Sequence, residues 1–142
     1  MSNKLNTPFL NSYLELDKVC CIKFGIVSGG ITEYINRLIN IRFAPQRDEV
    51  LPRLVRYRNI RNRMAHEAGA ITEIDEITKS DLRWLEGFKR DMNKKRDPIS
   101  IYLRKARKYA RRRKIQRLLI TSGIIILLLI AAAAAAYFFL LK

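Results

Sequence analysis

Apolar residues in the first forty positions recur every three or four residues, which is the spacing of helices with one buried face. The first set is Phe9, Tyr13, Leu16, Cys20 and Phe24, and the second is Ile31, Tyr34, Ile35, Leu38 and Ile39. Thr7 and Pro8 predict an N-cap and a first-turn proline for the first helix. Gly25, Gly29 and Gly30 favour a helix break or a kinked continuation over a phosphate-binding loop, because no strand precedes them.

Two further helical patterns follow Pro45. In the third helix, which reaches about His66, Asp48 is the predicted N-cap and Pro52 is placed in the first turn, where a missing N–H has no helical partner to lose. The fourth helix is predicted to start at Asp75 or Thr78 and to carry one apolar face, formed by Leu82, Leu85, Phe88 and Met92. No stretch shows the alternation typical of a strand.

The C-terminal third begins with Asp97-Pro98, which opens a last helix, and no glycine or proline occurs between Ile99 and Ser122. From Leu118 to Leu141 the chain has 24 uncharged residues, about 36 Å of helix, which is long enough to cross a bilayer. The pattern predicts an all-α protein: a bundle of four to five helices over residues 1–97, a basic juxtamembrane helix over 98–117 and a transmembrane helix over 118–141.

The net charge of +15 is concentrated before this apolar segment. Residues 89–117 hold 14 basic and 2 acidic side chains, whereas residues 1–88 hold 13 and 11. The cations nearest the segment, here called the basic stretch, are Arg104, Lys105, Arg107, Lys108, Arg111, Arg112, Arg113, Lys114 and Arg117. By the positive-inside rule this flank is cytosolic, which predicts a single-pass membrane protein with a cytosolic N-terminal domain. The basic stretch can bind anionic lipid at that face or, with Tyr102 and Tyr109 interleaved, single-stranded RNA.

A helical wheel of residues 50–66 gives a broad apolar face, formed by Val50, Leu51, Leu54, Tyr57, Ile60, Met64 and Ala65. Arg61 falls in the middle of this face, where a buried guanidinium needs an anionic or carbonyl partner. Asn62 and His66 are four residues apart and share the adjacent flank. One edge of the helix therefore gathers an arginine, an amide and the only imidazole of the chain.

The segment Arg61-Asn62-Arg63-Met64-Ala65-His66 fits the pattern R-N-x-x-x-H, and with its surroundings it resembles the HEPN superfamily of helical-bundle ribonucleases. The resemblance covers roughly residues 5–100. It implies a HEPN-like bundle in which two protomers set their motifs side by side, with Arg61 and His66 as catalytic residues and Asn62 orienting them. It also implies a metal-independent endoribonuclease for single-stranded RNA that needs no cofactor.

The residue types suit this chemistry. An imidazole exchanges protons near neutral pH, and a guanidinium stabilises charge on a phosphorane. Attack of the RNA 2′-OH would leave a cyclic phosphate. The resemblance further implies a toxin or defence effector that works as a homodimer or higher oligomer, is held by an inhibitory or effector-complex protein partner, and resides in the bacterial inner membrane.

Three other interpretations stay open from the sequence. In the first, His66 only caps the last turn of its helix and Arg61 pairs with a carboxylate such as Glu33, which would leave an inert bundle. In the second, a non-catalytic bundle is joined to an oligomerising transmembrane segment that perturbs the membrane or forms a pore, aided by the small residues of the alanine run at 131–136. In the third, the bundle is a scaffold for a cytosolic partner.

Other enzyme classes are disfavoured by the residues themselves. The chain has no glycine-rich loop of Walker or Rossmann type, no G-x-S-x-G and no H-E-x-x-H. One histidine and the adjacent pair Cys20 and Cys21 lack metal-ligand spacing, so no metal site is predicted. Both cysteines are expected to be reduced, buried thiols.

Overall fold

A computed structural model describes residues 4–67 and 74–140. Five helices occur in these residues: α1 Asn6–Phe24, α2 Gly30–Asn40, α3 Arg47–His66, α4 Lys79–Asn93 and α5 Pro98–Leu140. No residue in either described range forms a strand. The all-helical prediction, with a long last helix that continues into the apolar segment, is confirmed. Leu141, the predicted end of the transmembrane helix, lies outside the described residues.

The chain divides into two compact units, Met1–Leu103 and Arg104–Lys142. In the first unit α1 packs against α2 and α4, and α3 packs mainly against α2. Aromatic rings join these helices: Tyr57 meets Phe9 and Trp84 edge-on at centroid distances of 5.5 Å. The division falls inside α5, at Leu103, while the predicted three-part organisation of 1–97, 98–117 and 118–141 stays a prediction.

The break between α1 and α2 is confirmed. Gly25 and Gly29 have φ values of 68° and 71°, the left-handed region that glycine adopts without strain, and they occupy the C-cap of α1 and the N-cap of α2. Gly30 then lies against the backbone of α1, where an added Cβ would stand 2.3 Å from the carbonyl oxygen of Asp17. The glycines therefore end one helix and allow the next to pack closely against it.

The starts of α1 and α3 differ from the prediction. Helix α1 begins at Asn6, before Thr7, and its N-cap is Leu5, whose side chain makes no capping bond. The buried Asn6 side chain donates a hydrogen bond to the carbonyl of Ile74 at 2.8 Å, which fixes this end by a contact distant in sequence. The Thr7 prediction was therefore wrong.

Helix α3 is capped by Gln46 in the left-handed region, so Asp48 is its second residue and not its cap. Pro52 is consequently the sixth helical residue, beyond the first turn, and its missing N–H leaves the Asp48 carbonyl without its helical donor. The helix starts earlier than predicted because Arg47 is anchored to α2, donating to the Leu38 carbonyl at 3.1 Å.

The starts of α4 and α5 were predicted correctly. Thr78 and Asp81 form a capping box at the start of α4, and Leu85, Phe88 and Met92 are buried, with Leu82 only partly so. Asp97 precedes α5 and accepts a hydrogen bond from the Ser100 backbone N–H at 3.2 Å.

The two cysteines are free thiols buried in the first unit, as expected. Burial, reinforced by the nearby Asp17 carboxylate, raises the pKa of Cys20 to about 12. This thiol therefore stays protonated at physiological pH and has little thiolate to react.

Candidate functional site

The motif residues lie at the C-terminal end of α3. Asn62 and His66 are exposed and Arg61 is half-buried. The last turn is the negative end of the helix dipole. The helix ends at His66, and its C-cap is Glu67, whose N–H donates to the Arg63 carbonyl at 2.9 Å. The structure thus presents the three predicted site residues at one accessible helix end.

Arg61 was expected to lie in the middle of a buried face with an anionic or carbonyl partner. The buried residues of α3 are Val50, Leu54, Tyr57, Ile60 and Met64. Arg61 shares their sector but is only half-buried, because a long arginine stem can cover apolar surface while its head reaches solvent. Its Nη1 donates to the side-chain oxygen of Asn62 at 3.4 Å, which is a long hydrogen bond.

The inert arrangement, in which Arg61 pairs with Glu33, is not observed. The Glu33 carboxylate instead accepts a hydrogen bond from Arg37 Nε at 2.6 Å on its own helix. Among residues 4–67 and 74–140, Arg61 makes no ion pair. Its charge therefore remains uncompensated by any described carboxylate.

The electrostatic environment of Tyr13 places Arg61 on the α1 side of α3. Burial and the Asp17 carboxylate raise the pKa of Tyr13 to about 12, and the guanidinium groups of Arg61 and Arg58 oppose that rise. Both arginines therefore lie within electrostatic reach of the same phenol. Sequence reasoning did not single out Arg58, because a helical wheel of α3 alone does not show which residues of α1, such as Tyr13, lie near it.

The opposite side of α3 is occupied by structural ion pairs. Arg56 Nη1 and the Tyr57 hydroxyl donate to Asp81 Oδ1 at 2.9 and 2.8 Å. Arg63, the third residue of the motif, donates to Glu76 at 2.8 Å. These bonds hold α3 to α4 and to the segment before it, which leaves the α1 side of the helix end for chemistry.

The cations of the basic stretch, Arg104 to Arg117, are all exposed on α5. At 100° per residue, one half of the helix surface carries seven of them: Arg104, Lys105, Arg107, Lys108, Arg111, Arg112 and Lys114. Of the two tyrosines expected to stack on bases, Tyr102 packs partly against the core of the first unit, whereas Tyr109 is 70 % exposed. Only Tyr109 is thus fully available for stacking.

The apolar part of α5 is long and apolar enough to cross a membrane, and none of it is buried within the chain. Its two aliphatic hydroxyls donate to their own helix, Thr121 to the Arg117 carbonyl at 2.6 Å and Ser122 to the Leu119 carbonyl at 3.0 Å. Both can therefore enter lipid with their hydroxyl hydrogen bonds satisfied. This segment is a candidate membrane span.

We expect the full chain to stay with the membrane pellet after alkaline carbonate washing, because about 24 apolar residues resist extraction far more strongly than surface charges do. A chain lacking residues 118–142 should appear in the supernatant after the same wash, detected by immunoblot. Release of the full chain by carbonate would contradict a spanning helix.

Metal ligands do not converge in the described part of the chain: no three His, Cys, Asp or Glu side chains there lie close enough together to hold a metal ion. The candidate features for function are the motif at the end of α3, the basic stretch and the candidate span.

The fold and these features define an all-helical protein with a basic helix and a candidate membrane span. The chain belongs to DUF6548, a family of unknown function, whose model matches residues 7–122. The match runs through the bundle and the basic stretch and into the start of the apolar segment. No curated protein and no solved structure gives a significant match.

Proposed function

We propose that this protein is a membrane-anchored, metal-independent endoribonuclease of HEPN type that cleaves single-stranded RNA. One observation carries the proposal: Arg61, Asn62 and His66 lie together at a solvent-accessible helix end, and Arg61 has no carboxylate partner among the described residues. A guanidinium with a purely structural role is normally paired, as Arg56 and Arg63 are on the other side of the same helix.

The three side chains divide the reaction between them. His66 takes the proton of the 2′-OH or gives one to the leaving 5′-oxygen, and Arg61 stabilises the charge that develops on the phosphorane. The Asn62 side-chain oxygen accepts from Arg61 and so orients the guanidinium. Because one motif supplies a single imidazole, two protomers with adjoining motifs would provide both the general acid and the general base.

The remaining features would place this activity at a membrane. The basic stretch precedes the candidate span, so by the positive-inside rule the bundle of a single-pass protein would lie in the cytosol. The resemblance to the HEPN superfamily favours the bacterial inner membrane as its location. Its cations would hold anionic lipid or gather RNA. Confinement to two dimensions would raise the local concentration and favour a homodimer or higher oligomer. An intracellular RNA-cutting enzyme of this kind would act as a toxin or defence effector under control of an inhibitory or effector-complex protein.

The test is cleavage of a labelled single-stranded RNA, with chelator present, by the full chain in neutral detergent micelles. We expect His66→Ala to lower the cleavage rate at least about 100-fold, because general acid–base catalysis is worth that much. Asn36→Ala is the matched control, since Asn36 is also polar and exposed but lies on α2 and not on the helix that carries the motif. Equal rates for His66→Ala and the parent would refute the assignment of His66.

A second candidate function rests on the apolar helix. Residues 118–137 are exposed throughout within the chain, and the alanine run at 131–136 offers a close-packing surface for helices in lipid. A non-catalytic bundle could then serve an oligomer that perturbs or perforates the membrane. Growth inhibition that survives His66→Ala but disappears without residues 118–142 would favour this function over the ribonuclease.

A further inference from the structure

The arginines of α3 fall into two groups. Four of the six have a carboxylate partner: Arg47, Arg53, Arg56 and Arg63. Within the two described ranges, Arg58 and Arg61 make no ion pair, although each is half-buried. A guanidinium without a carboxylate partner keeps its charged N–H donors available to an external anion.

These two arginines lie next to each other. Positions 58 and 61 are three apart, which places their side chains on neighbouring rows of one helix surface. Both act electrostatically on Tyr13 of α1, so both lie on the side of α3 that faces α1. Two adjacent like charges disfavour each other in the absence of an anion.

Asp17, an acidic residue of α1, forms no ion pair with either arginine. Asp17 Oδ1 accepts the Ile31 backbone N–H at 2.8 Å, and Asp17 Oδ2 accepts from the Cys21 thiol at 3.8 Å. This carboxylate is therefore engaged in the connection between α1 and α2. The pair Arg58 and Arg61 keeps its donors available in the described chain, apart from the long bond from Arg61 to Asn62.

We propose that Arg58 and Arg61 together bind one phosphate group. Their planar guanidinium forks match phosphate geometry and form charge-assisted hydrogen bonds that a pair of lysines would not reproduce. The anion site itself stands on the arrangement of α1 and α3; only the identity of the ligand as an RNA phosphodiester rests on the proposed function. In that setting Arg58 is a binding residue outside the R-N-x-x-x-H pattern.

The experiment follows thermal unfolding of the full chain in detergent micelles while inorganic phosphate is added at constant ionic strength. Trp84, the only tryptophan, is stacked on Phe88 at 4.9 Å and reports on the first unit by its fluorescence. Phosphate should raise the melting temperature of the parent. Arg58→Gln and Arg61→Gln should each need about ten times more phosphate, or more, for the same rise in melting temperature, since each removes charged hydrogen bonds.

Arg83→Gln serves as the matched control. It removes an exposed arginine of α4 that lies outside the motif and the basic stretch, so it should keep the parent response. In the absence of phosphate, Arg58→Gln should melt at or above the parent temperature, because it relieves repulsion with Arg61. A merely structural Arg58 would instead lower the melting temperature and leave the phosphate response unchanged.

The paired site would be overturned if the melting temperature of the parent did not rise with phosphate. It would also be overturned if Arg58→Gln kept the parent response while Arg61→Gln lost it, or if both variants kept it. A second titration uses a 2′-O-methyl tetranucleotide without a terminal phosphate. A response to both ligands assigns an RNA phosphodiester, and a response to inorganic phosphate alone assigns a free phosphate. Anion binding is read from the melting temperature and cleavage from the RNA fragments, so a failed cleavage assay and a failed anion site remain distinguishable.

Discussion

Replacing Asp97 with asparagine is expected to lower the free energy of unfolding of the first unit by about 3 kcal/mol, the cost typical of breaking a buried ion pair. The Asp97 side chain is fully buried, and its Oδ2 accepts from Lys23 Nζ at 2.6 Å and from the Tyr34 hydroxyl at 3.0 Å. The same oxygen caps α5 at Ser100. The substitution leaves the Lys23 ammonium, 20 % exposed, without its counter-charge. Urea unfolding followed by Trp84 fluorescence measures the loss.

The control is Asp91→Asn, because Asp91 forms a similar bond with Arg96 at 2.9 Å but both side chains are about half exposed. Exposed pairs contribute at most about 1 kcal/mol, so this variant should unfold nearly as the parent does. An equal loss for both variants would show that burial of the Lys23–Asp97 pair is unimportant.

The Asp97 contribution also has a defined pH dependence. Burial opposes its ionisation, but hydrogen bonds from Lys23 and Ser100 outweigh burial and hold the pKa of Asp97 below its usual value. The folded state therefore gains stability that is fully present above the unfolded pKa, about 3.9, and is lost as the pH falls through the lower folded pKa. Asp97→Asn should consequently lose less stability on acidification than the parent.

The second large effect is expected for Gly30→Ala. An added Cβ would stand 2.3 Å from the Asp17 carbonyl oxygen and 2.5 Å from the Cys21 backbone nitrogen, and neither atom can move without shifting α1. We expect a loss of at least about 2 kcal/mol in unfolding free energy, as found when a packed contact is overfilled. Thermal unfolding of the two proteins under identical conditions measures it.

Gly87→Ala is the matched control for this prediction. Gly87 lies within α4, and an added Cβ there meets nothing within 4 Å. Alanine should stabilise that helix by about 0.5–1 kcal/mol, because glycine loses more backbone entropy on folding. A stabilising Gly30→Ala would contradict the close approach of α1 and α2.

Helices α1 to α4 could be predicted because each has one buried face, and the period of that face can be read from the sequence. The helix starts were predictable only where capping is local, as in the Thr78–Asp81 box and at Asp97. Asn6 and Arg47 begin their helices and form hydrogen bonds to the carbonyl groups of Ile74 and Leu38. Partners this far away in the sequence cannot be recognised from the residues next to a helix start.

The candidate site was predictable in part for the same reason. Arg61, Asn62 and His66 are a sequence pattern on one helix, and the structure places them at one accessible end. The wheel overstated the burial of Arg61, because it takes no account of how far an arginine head can extend. Arg58 could not be singled out from the sequence, because which arginines form ion pairs depends on how α3 packs against its neighbours.

We propose that this helix end cuts RNA by attack of the 2′-OH without a metal ion. The most direct measurement is the mass of the fragments made from one single-stranded RNA by the full chain in detergent with chelator present. We expect a 2′,3′-cyclic phosphate on the upstream fragment and no cleavage of the 2′-O-methyl form of the same RNA. Fragments ending in a 3′-hydroxyl, or cleavage of the 2′-O-methyl RNA, would contradict it.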